Sequence, residues 1–225
     1  MARVILLNDV HCEMDNHGLL VGNADLPASE KGLSQSKIIA KYFHTKIRSI
    51  NLLAASDLGR LSKLLHCIRV ESPKRYLLDL AVRTSDALRE RDFGVLSGSC
   101  LSLESDVFTH SRITGENGES LSQCRERAFK FLNAFLSVNV RALVVSHPFI
   151  CQVITNAVLH KPHTYLTEFW MRKGSFIEFD LLKGQFAFNW KFLHAFNALD
   201  DREYTEDEIY CKLLGKKGHS SDQAS

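Results

Sequence analysis

Short apolar runs without polar alternation predict buried β-strands along the first two thirds of the chain. Residues 3–8, 52–56 and 142–146 are rich in β-forming side chains and are bounded by polar residues. Strands that are apolar on both faces are typical of parallel sheets that helices cover on each side. These runs therefore predict an α/β fold with a mostly parallel central sheet.

Segments with helical periodicity separate the predicted strands. Residues 119–136 place apolar side chains on one face and charges opposite, and residues 58–69 carry a single apolar stripe. A third helix is predicted over 30–44, where Ser29 can cap the first turn. Near the end of the chain, two β-rich segments flank residues 182–185 and predict a hairpin.

Composition and charge limit the number of domains and the kinds of partner. With 225 residues, of which 45% are hydrophobic, the chain can bury one sizeable core. We expect a single domain over 1–214 and a disordered tail, rich in Lys, Ser and Gly, over 215–225. A net charge of +2, with both signs interspersed, favours neither nucleic acid nor a membrane as a partner.

The expected compartment is the cytoplasm. The apolar stretch at the N-terminus is too short for the core of a signal peptide, and no apolar run reaches the roughly 18 residues of a membrane span. The six cysteines are scattered without CxxC spacing, which argues against a zinc site or a redox pair. We therefore expect reduced, buried thiols.

Candidate chemistry lies directly after the predicted strands. In open α/β sheets the ligand crevice lies at the carboxyl ends of the strands. His11 follows the first apolar run, Arg60 comes shortly after the second, and His147 follows the third. A single histidine beside a strand is more often a packed side chain than a catalytic one. The placement of two histidines and an arginine at one edge instead predicts an anion site.

Six short motifs in a fixed order resemble those of the histidine phosphatases, a phosphoglycerate-mutase-like family. The family's first strand ends in Arg-His-Gly-Glu, and the other motifs include the segment that bears its acid. In this chain the six read VHCE at 10–13, DLPASEKGL at 25–33, SDLGR at 56–60, LRERDFG at 88–94, GES at 118–120 and SH at 146–147. The resemblance implies a three-layer αβα sandwich with a small cap.

The resemblance also implies a phosphomonoesterase that works through a phosphohistidine. His11 is expected to attack phosphorus, and Glu90 to protonate the leaving oxygen and later to deprotonate water. Arg60 and His147 are expected to hold the phosphoryl group and neutralise its charge. The implied partner is a small phosphorylated molecule, and the chemistry needs no metal or cofactor.

Two further substrate contacts are expected at Asn16 and Arg91. Arg91 follows the acid, as in the mutases of the family. Those mutases carry a long insertion with paired arginines between the acid segment and the GES motif, whereas only residues 95–117 intervene here. This short cap fits a phosphatase better than a mutase. An alternative that takes Asn16-His17-Gly18 as the nucleophile motif is less favoured, because His17 does not follow a strand.

Three departures from the family pattern leave a second hypothesis open. Val10 stands where the family has an arginine, Cys12 replaces a glycine, and Pro148 removes a backbone N–H beside the second histidine. The chain could therefore be an inactive family member that binds a phosphorylated ligand or a partner protein. If the valine only leaves a gap in the site, Val10→Arg is expected to raise activity. A nucleotide-binding fold of another kind lacks support, since no glycine-rich phosphate loop follows the first strand.

Overall fold

A computed structural model gives the architecture of most of the chain. The residues that it describes are 2–17, 19–46, 49–71, 76–99, 116–135, 139–158, 173–183, 188–197 and 202–204. Most of the predicted cap and the predicted tail over 215–225 lie outside this part of the chain. The single domain over 1–214 therefore stays a prediction.

The described strands form one sheet. They are β1 (Ala2–Asn8), β2 (Leu52–Ser56), β3 (Val82–Ser85), β4 (Arg141–Ser146), β5 (Ser175–Lys183), β6 (Phe188–Asn197) and β7 (Arg202–Tyr204). Their order in the sheet is β3-β2-β4-β1-β5-β6-β7. The pairs among β1 to β4 are parallel, whereas β5, β6 and β7 add antiparallel pairs.

The three predicted strands are confirmed as β1, β2 and β4, and the predicted hairpin as β5 and β6. Neither β3 nor β7 was predicted. The four residues of β3 lie at the edge of the sheet and are all partly or fully exposed, so they lack the apolar run that marks a buried strand.

Five α-helices are described. They are α1 (Glu30–Lys46), α2 (Gly59–Glu71), α3 (Tyr76–Asp79), α4 (Leu121–Phe135) and α5 (Pro148–Val158). The first, second and fourth confirm the predicted helices, with ends shifted by one to two residues. The sequence did not predict α5, because its residues are buried on nearly every side and show no apolar stripe.

The helices cover both faces of the sheet. Along β1, Ile5 and Leu7 pack in one apolar cluster with α1 and α2, whereas Val4 and Leu6 pack in another with α4 and α5. Successive strand residues point to opposite faces, so these two clusters are the two halves of the core. The predicted three-layer αβα sandwich is confirmed.

The parallel pairing brings several chain segments to one edge. Asn8 at the end of β1 pairs with Ser146 at the end of β4, and β2 ends beside both β4 and β3. The residues that follow these strands therefore meet at the carboxyl edge of the sheet. Among the described residues, no helix is both long and apolar enough to cross a bilayer.

Candidate functional site

A buried group of three side chains lies at the carboxyl edge of the sheet. Asp9 directly follows β1, Arg60 is the second residue of α2, and His147 lies between β4 and α5. The Nε of Arg60 donates to Oδ2 of Asp9 at 2.7 Å, and its Nη2 lies 2.7 Å from Nδ1 of His147. The structure thus brings Arg60 and His147 together, as predicted, and adds a carboxylate that the sequence reasoning missed.

The two ring nitrogens of His147 have different surroundings. Its Nδ1 lies 2.7 Å from Nη2 of Arg60 and 3.1 Å from Oδ2 of Asp9. The tautomer of the ring decides whether Nδ1 accepts from Arg60 or donates to Asp9. Burial lowers the pKa of His147, and Asp9 opposes this shift only in part, so the ring is neutral at pH 7. Its Nε2 is buried without a hydrogen-bond partner among the described residues. No described group of the protein therefore engages this nitrogen.

Asp9 is held firmly in its ionised form. Burial by itself raises the pKa of a carboxyl, but the contacts with His147 and the charge of Arg60 leave the pKa of Asp9 well below its usual value. Its Oδ1 accepts from the backbone N–H of Val10 at 2.6 Å. The sequence did contain an indication of Asp9, because this acidic residue follows the first apolar run, as His11 does.

His11 lies at the same edge with its ring bound to Ser29. The Nδ1 of His11 is 2.8 Å from Oγ of Ser29, which also accepts from the N–H of Gly32 and donates to the carbonyl of His11. Because the hydroxyl has only one proton to donate, Nδ1–H is the donor to Ser29, and Nε2 carries the lone pair. The bond from Gly32 also confirms the predicted cap at Ser29. The hydrogen bonds of this ring therefore go to α1 and not to the Arg60–His147 pair.

Glu90 reaches the start of α5 from the segment after β3. Its carboxylate accepts from the N–H of Phe149 at 3.2 Å and from that of Arg91 at 2.8 Å. Burial raises the pKa of Glu90 to about 7, although these two backbone hydrogen bonds lower it in part. The carboxyl can thus gain and lose a proton near neutral pH, and the residue whose N–H it binds, Phe149, comes two residues after His147.

Pro148 begins α5 without cost to the helix, and the loss of its N–H as a donor to a ligand stays a prediction. It is the first residue of α5, where an N–H has no partner inside the helix and proline is favoured. The next N–H, that of Phe149, is the one that binds Glu90. The missing donor at Pro148 therefore costs no hydrogen bond of the helix.

Val10 is part of the core and leaves no gap in the site. Its side chain is fully buried and belongs to the apolar cluster that α1 and α2 share with the sheet, where Leu7 and Ala28 also lie. An arginine here would first have to displace this packing, so the room on which the expected gain from Val10→Arg depends is not present in the described structure. The position is filled by packing that an arginine would disrupt.

Of the two expected substrate contacts, Arg91 and Asn16, the structure describes the side chain of Arg91. Arg91 is buried, its Nε donates to the carbonyl of Glu119 at 2.8 Å, and its guanidinium lies 5.2 Å from the ring centre of Phe93. Asn16 lies in the 3-10 turn Glu13–His17, and its side chain is outside the described part of the chain. Substrate contact by either residue stays a prediction.

A polar cavity of about 340 Å³ opens beside Glu90. Its lining includes Asn23, Arg89, Asp92 and Arg127, whereas His11, Arg60 and His147 do not line it. The cavity therefore adjoins the acid but not the buried group around Arg60.

The raised pKa of Glu90 predicts a pH-dependent cost in stability. Between pH 4.5, its ordinary pKa, and about 7, the folded state keeps a proton that the unfolded state releases, so stability falls as the pH rises. The loss amounts to roughly 3 kcal/mol. We expect Glu90→Gln to remove this pH-dependent loss. In denaturant unfolding, the stability of the variant relative to wild type should therefore increase as the pH rises from 4 to 8.

Glu119→Gln is the control for this measurement. Burial raises the pKa of Glu119, but its hydrogen bonds with Arg127 and Cys124 outweigh burial and lower it, so the ionised form stabilises the fold above its ordinary pKa. This variant should lose stability relative to wild type only as the pH rises toward 4.5, and the difference between the two should then stay constant up to pH 8. Parallel pH curves for Glu90→Gln and wild type would contradict the assignment.

Comparisons with known proteins agree with this architecture. Residues 11–192 match the histidine phosphatase superfamily (branch 1). Among curated proteins, no sequence matches the chain. A mycobacterial glucosyl-3-phosphoglycerate phosphatase, solved with VO3, shares 17% identity over 85% of this chain and 96% of its own, with a TM-score of 0.71.

Other solved structures share the same sandwich. An Escherichia coli candidate for an alpha-ribazole-5'-P phosphatase is 20% identical over 85% of this chain and 95% of its own, with a TM-score of 0.67. YhfR of Bacillus stearothermophilus is 15% identical over 86% and 95%, with a TM-score of 0.69. Because the family match spans most of the chain and the fold agrees, this protein belongs to the histidine phosphatase superfamily (branch 1).

Proposed function

We propose that this protein is a phosphomonoesterase that hydrolyses a small phosphorylated metabolite through a phosphohistidine. The observation that carries the proposal is the joint position of Arg60, His147 and Glu90: the first two are in contact, and Glu90 binds the N–H of Phe149 beside them. A fixed cation, a free ring nitrogen and a carboxyl with a pKa of about 7 are the groups that phosphoryl transfer requires.

In the first step, Nε2 of His11 attacks phosphorus and the ester P–O bond breaks. The hydrogen bond between Nδ1 and Ser29 supports this role, because it places the lone pair on Nε2. Arg60 stabilises the charge on the phosphoryl oxygens, together with His147 in the tautomer in which Nδ1 accepts from Nη2 of Arg60 and Nε2 carries the proton. Glu90 gives its proton to the departing alkoxide.

In the second step, water replaces the histidine. Glu90, now ionised, takes a proton from water, whose oxygen attacks phosphorus while the P–N bond to His11 breaks. Inorganic phosphate leaves, and both side chains return to their starting forms. A carboxyl whose pKa is near the working pH is suited to both transfers.

Trapping of the intermediate tests this proposal. We expect ³²P from a labelled aryl phosphate to appear on the full chain as a base-stable, acid-labile adduct, and His11→Asn to lose the adduct and to hydrolyse roughly 10³-fold more slowly or worse. His66, an exposed residue of α2, offers a matched histidine control as His66→Asn. Label that persists on His11→Asn would refute His11 as the nucleophile.

A second candidate function is binding of a phosphorylated ligand without hydrolysis. The ion pair between Asp9 and Arg60 favours it, because a carboxylate already engages the cation of the site. Wild type that binds phosphate but forms no adduct would select this candidate. For both candidates we propose a cytoplasmic location, which the free thiols of the four described cysteines support. Cys12, Cys124 and Cys151 are buried as expected, whereas Cys67 is only partly buried.

A further inference from the structure

The carboxylate of Asp9 engages the groups that would hold a phosphoryl group. Its Oδ2 accepts from Nε of Arg60 at 2.7 Å and lies 3.1 Å from Nδ1 of His147. The remaining terminal nitrogen of Arg60, Nη1, donates to the carbonyl of Ala24 at 3.2 Å. Every nitrogen of this guanidinium therefore has a partner within the chain before a ligand arrives.

Backbone contacts prevent Asp9 from turning away. Its Oδ1 accepts from the N–H of Val10, its own N–H donates to Oδ1 of Asn8 at 2.8 Å, and its carbonyl accepts from the N–H of Gly174 at 2.9 Å. The residue is completely buried. A ligand at Arg60 must therefore bind in the presence of this carboxylate.

Resting on the proposed function, we propose that Asp9 sets the charge selectivity of the site: its carboxylate competes with the phosphoryl group, so that the site takes the monoanion of a phosphate monoester in preference to the dianion. The charges of Asp9 and Arg60 cancel, and His147 is neutral, so this group supplies no net positive charge. The repulsion from the carboxylate therefore offsets the attraction of Arg60 for an oxyanion, and the larger desolvation cost of a dianion is left uncompensated, which favours a monoanion.

Tungstate and perrhenate separate charge from shape. Both are tetrahedral oxyanions of similar size, and at pH 8 they carry two and one negative charges. We expect calorimetric titration of the full wild-type chain to show perrhenate binding at least as tightly as tungstate. In Asp9→Asn, the ratio of tungstate to perrhenate affinity should rise by about 10- to 100-fold, since a charged competitor for Arg60 is removed.

Asp180→Asn is the matched control. Asp180 is a second buried carboxylate that accepts from an arginine Nε, that of Arg3 at 2.8 Å, but Arg3 lies at the opposite end of β1 from the site. This variant should leave the ratio unchanged, even if it lowers stability. A rise equal to that of Asp9→Asn would overturn the proposal, because the effect would not then belong to the site.

Three other outcomes would also overturn the proposal. They are a folded Asp9→Asn whose ratio equals that of wild type, a folded Asp9→Asn that binds no tungstate, and a wild type that prefers tungstate by more than about tenfold. Asp9→Ser serves as a second variant if the asparagine variant does not fold. Because neither anion is hydrolysed, these results are independent of adduct formation, whose absence would refute only the proposed catalysis.

Discussion

Arg60→Met is expected to abolish tungstate binding and to lower the free energy of unfolding by about 3–5 kcal/mol. The loss of stability arises because Asp9 would remain buried and ionised without the cation that contacts it at 2.7 Å. If the chain is a phosphatase, hydrolysis should fall by roughly 10³- to 10⁵-fold, the range for an arginine that serves phosphoryl transfer. Urea unfolding and calorimetric titration at pH 8 measure the two effects separately.

The double variant Arg60→Met with Asp9→Asn isolates the cause of the instability. Removal of the uncompensated carboxylate should restore most of the stability but none of the tungstate binding, since two residues in contact couple in such a cycle. Arg3→Met provides the comparison, because Arg3 also pairs with an aspartate but its side chain is 38% exposed. If the double variant were as unstable as Arg60→Met alone, the buried charge of Asp9 would not be the reason.

Val10→Arg is expected to destabilise the fold by several kcal/mol instead of raising activity. Val10 is fully buried in the apolar cluster under α1 and α2, and a guanidinium there has no anion to pair with in that cluster. Part of the free energy of unfolding would be lost to the longer side chain and part to the buried charge. Thermal and urea unfolding of the purified variant measure the total.

Val10→Met separates these two contributions. Methionine matches the unbranched stem of arginine without its guanidinium, and overpacking of this kind costs about 1–3 kcal/mol. We expect Val10→Arg to be clearly less stable than Val10→Met, with hydrolysis of an aryl phosphate no faster than in wild type. An arginine variant that is as stable as the methionine variant and hydrolyses faster would mean that its guanidinium reaches the site.

The contrast between Val10 and its neighbours explains where sequence reasoning failed at the site. The motif at 10–13 aligned Val10 with a family arginine, and its side chain was expected to leave a gap beside the phosphate. Which way a side chain points in the loop after a strand depends on the packing of α1 against that loop. Gly32 allows this packing, since a Cβ on it would lie only 2.0 Å from the carbonyl oxygen of His11.

The amino-acid sequence by itself determined the sandwich, the family and the edge of the sheet at which the site lies. Strands β1, β2 and β4 each contain a run of consecutive apolar residues, and α1, α2 and α4 carry apolar stripes. Both patterns depend on residues that are close together along the chain. The order of the motifs then assigned His11, Arg60, Glu90 and His147 to that edge. These patterns are local, so they can be recognised in the amino-acid sequence without the folded structure.

Only the tertiary structure decided how the residues at that edge act on one another. Asp9 is separated along the chain from Arg60 by 51 residues and from His147 by 138, and the hydrogen bonds that join them leave no local pattern. The raised pKa of Glu90 likewise comes from burial, which the N–H of Phe149 in the first turn of α5 offsets only in part, and the sequence did not predict that helix. Charge and protonation in this site depend on distances and burial, which exist only once the sheet has formed.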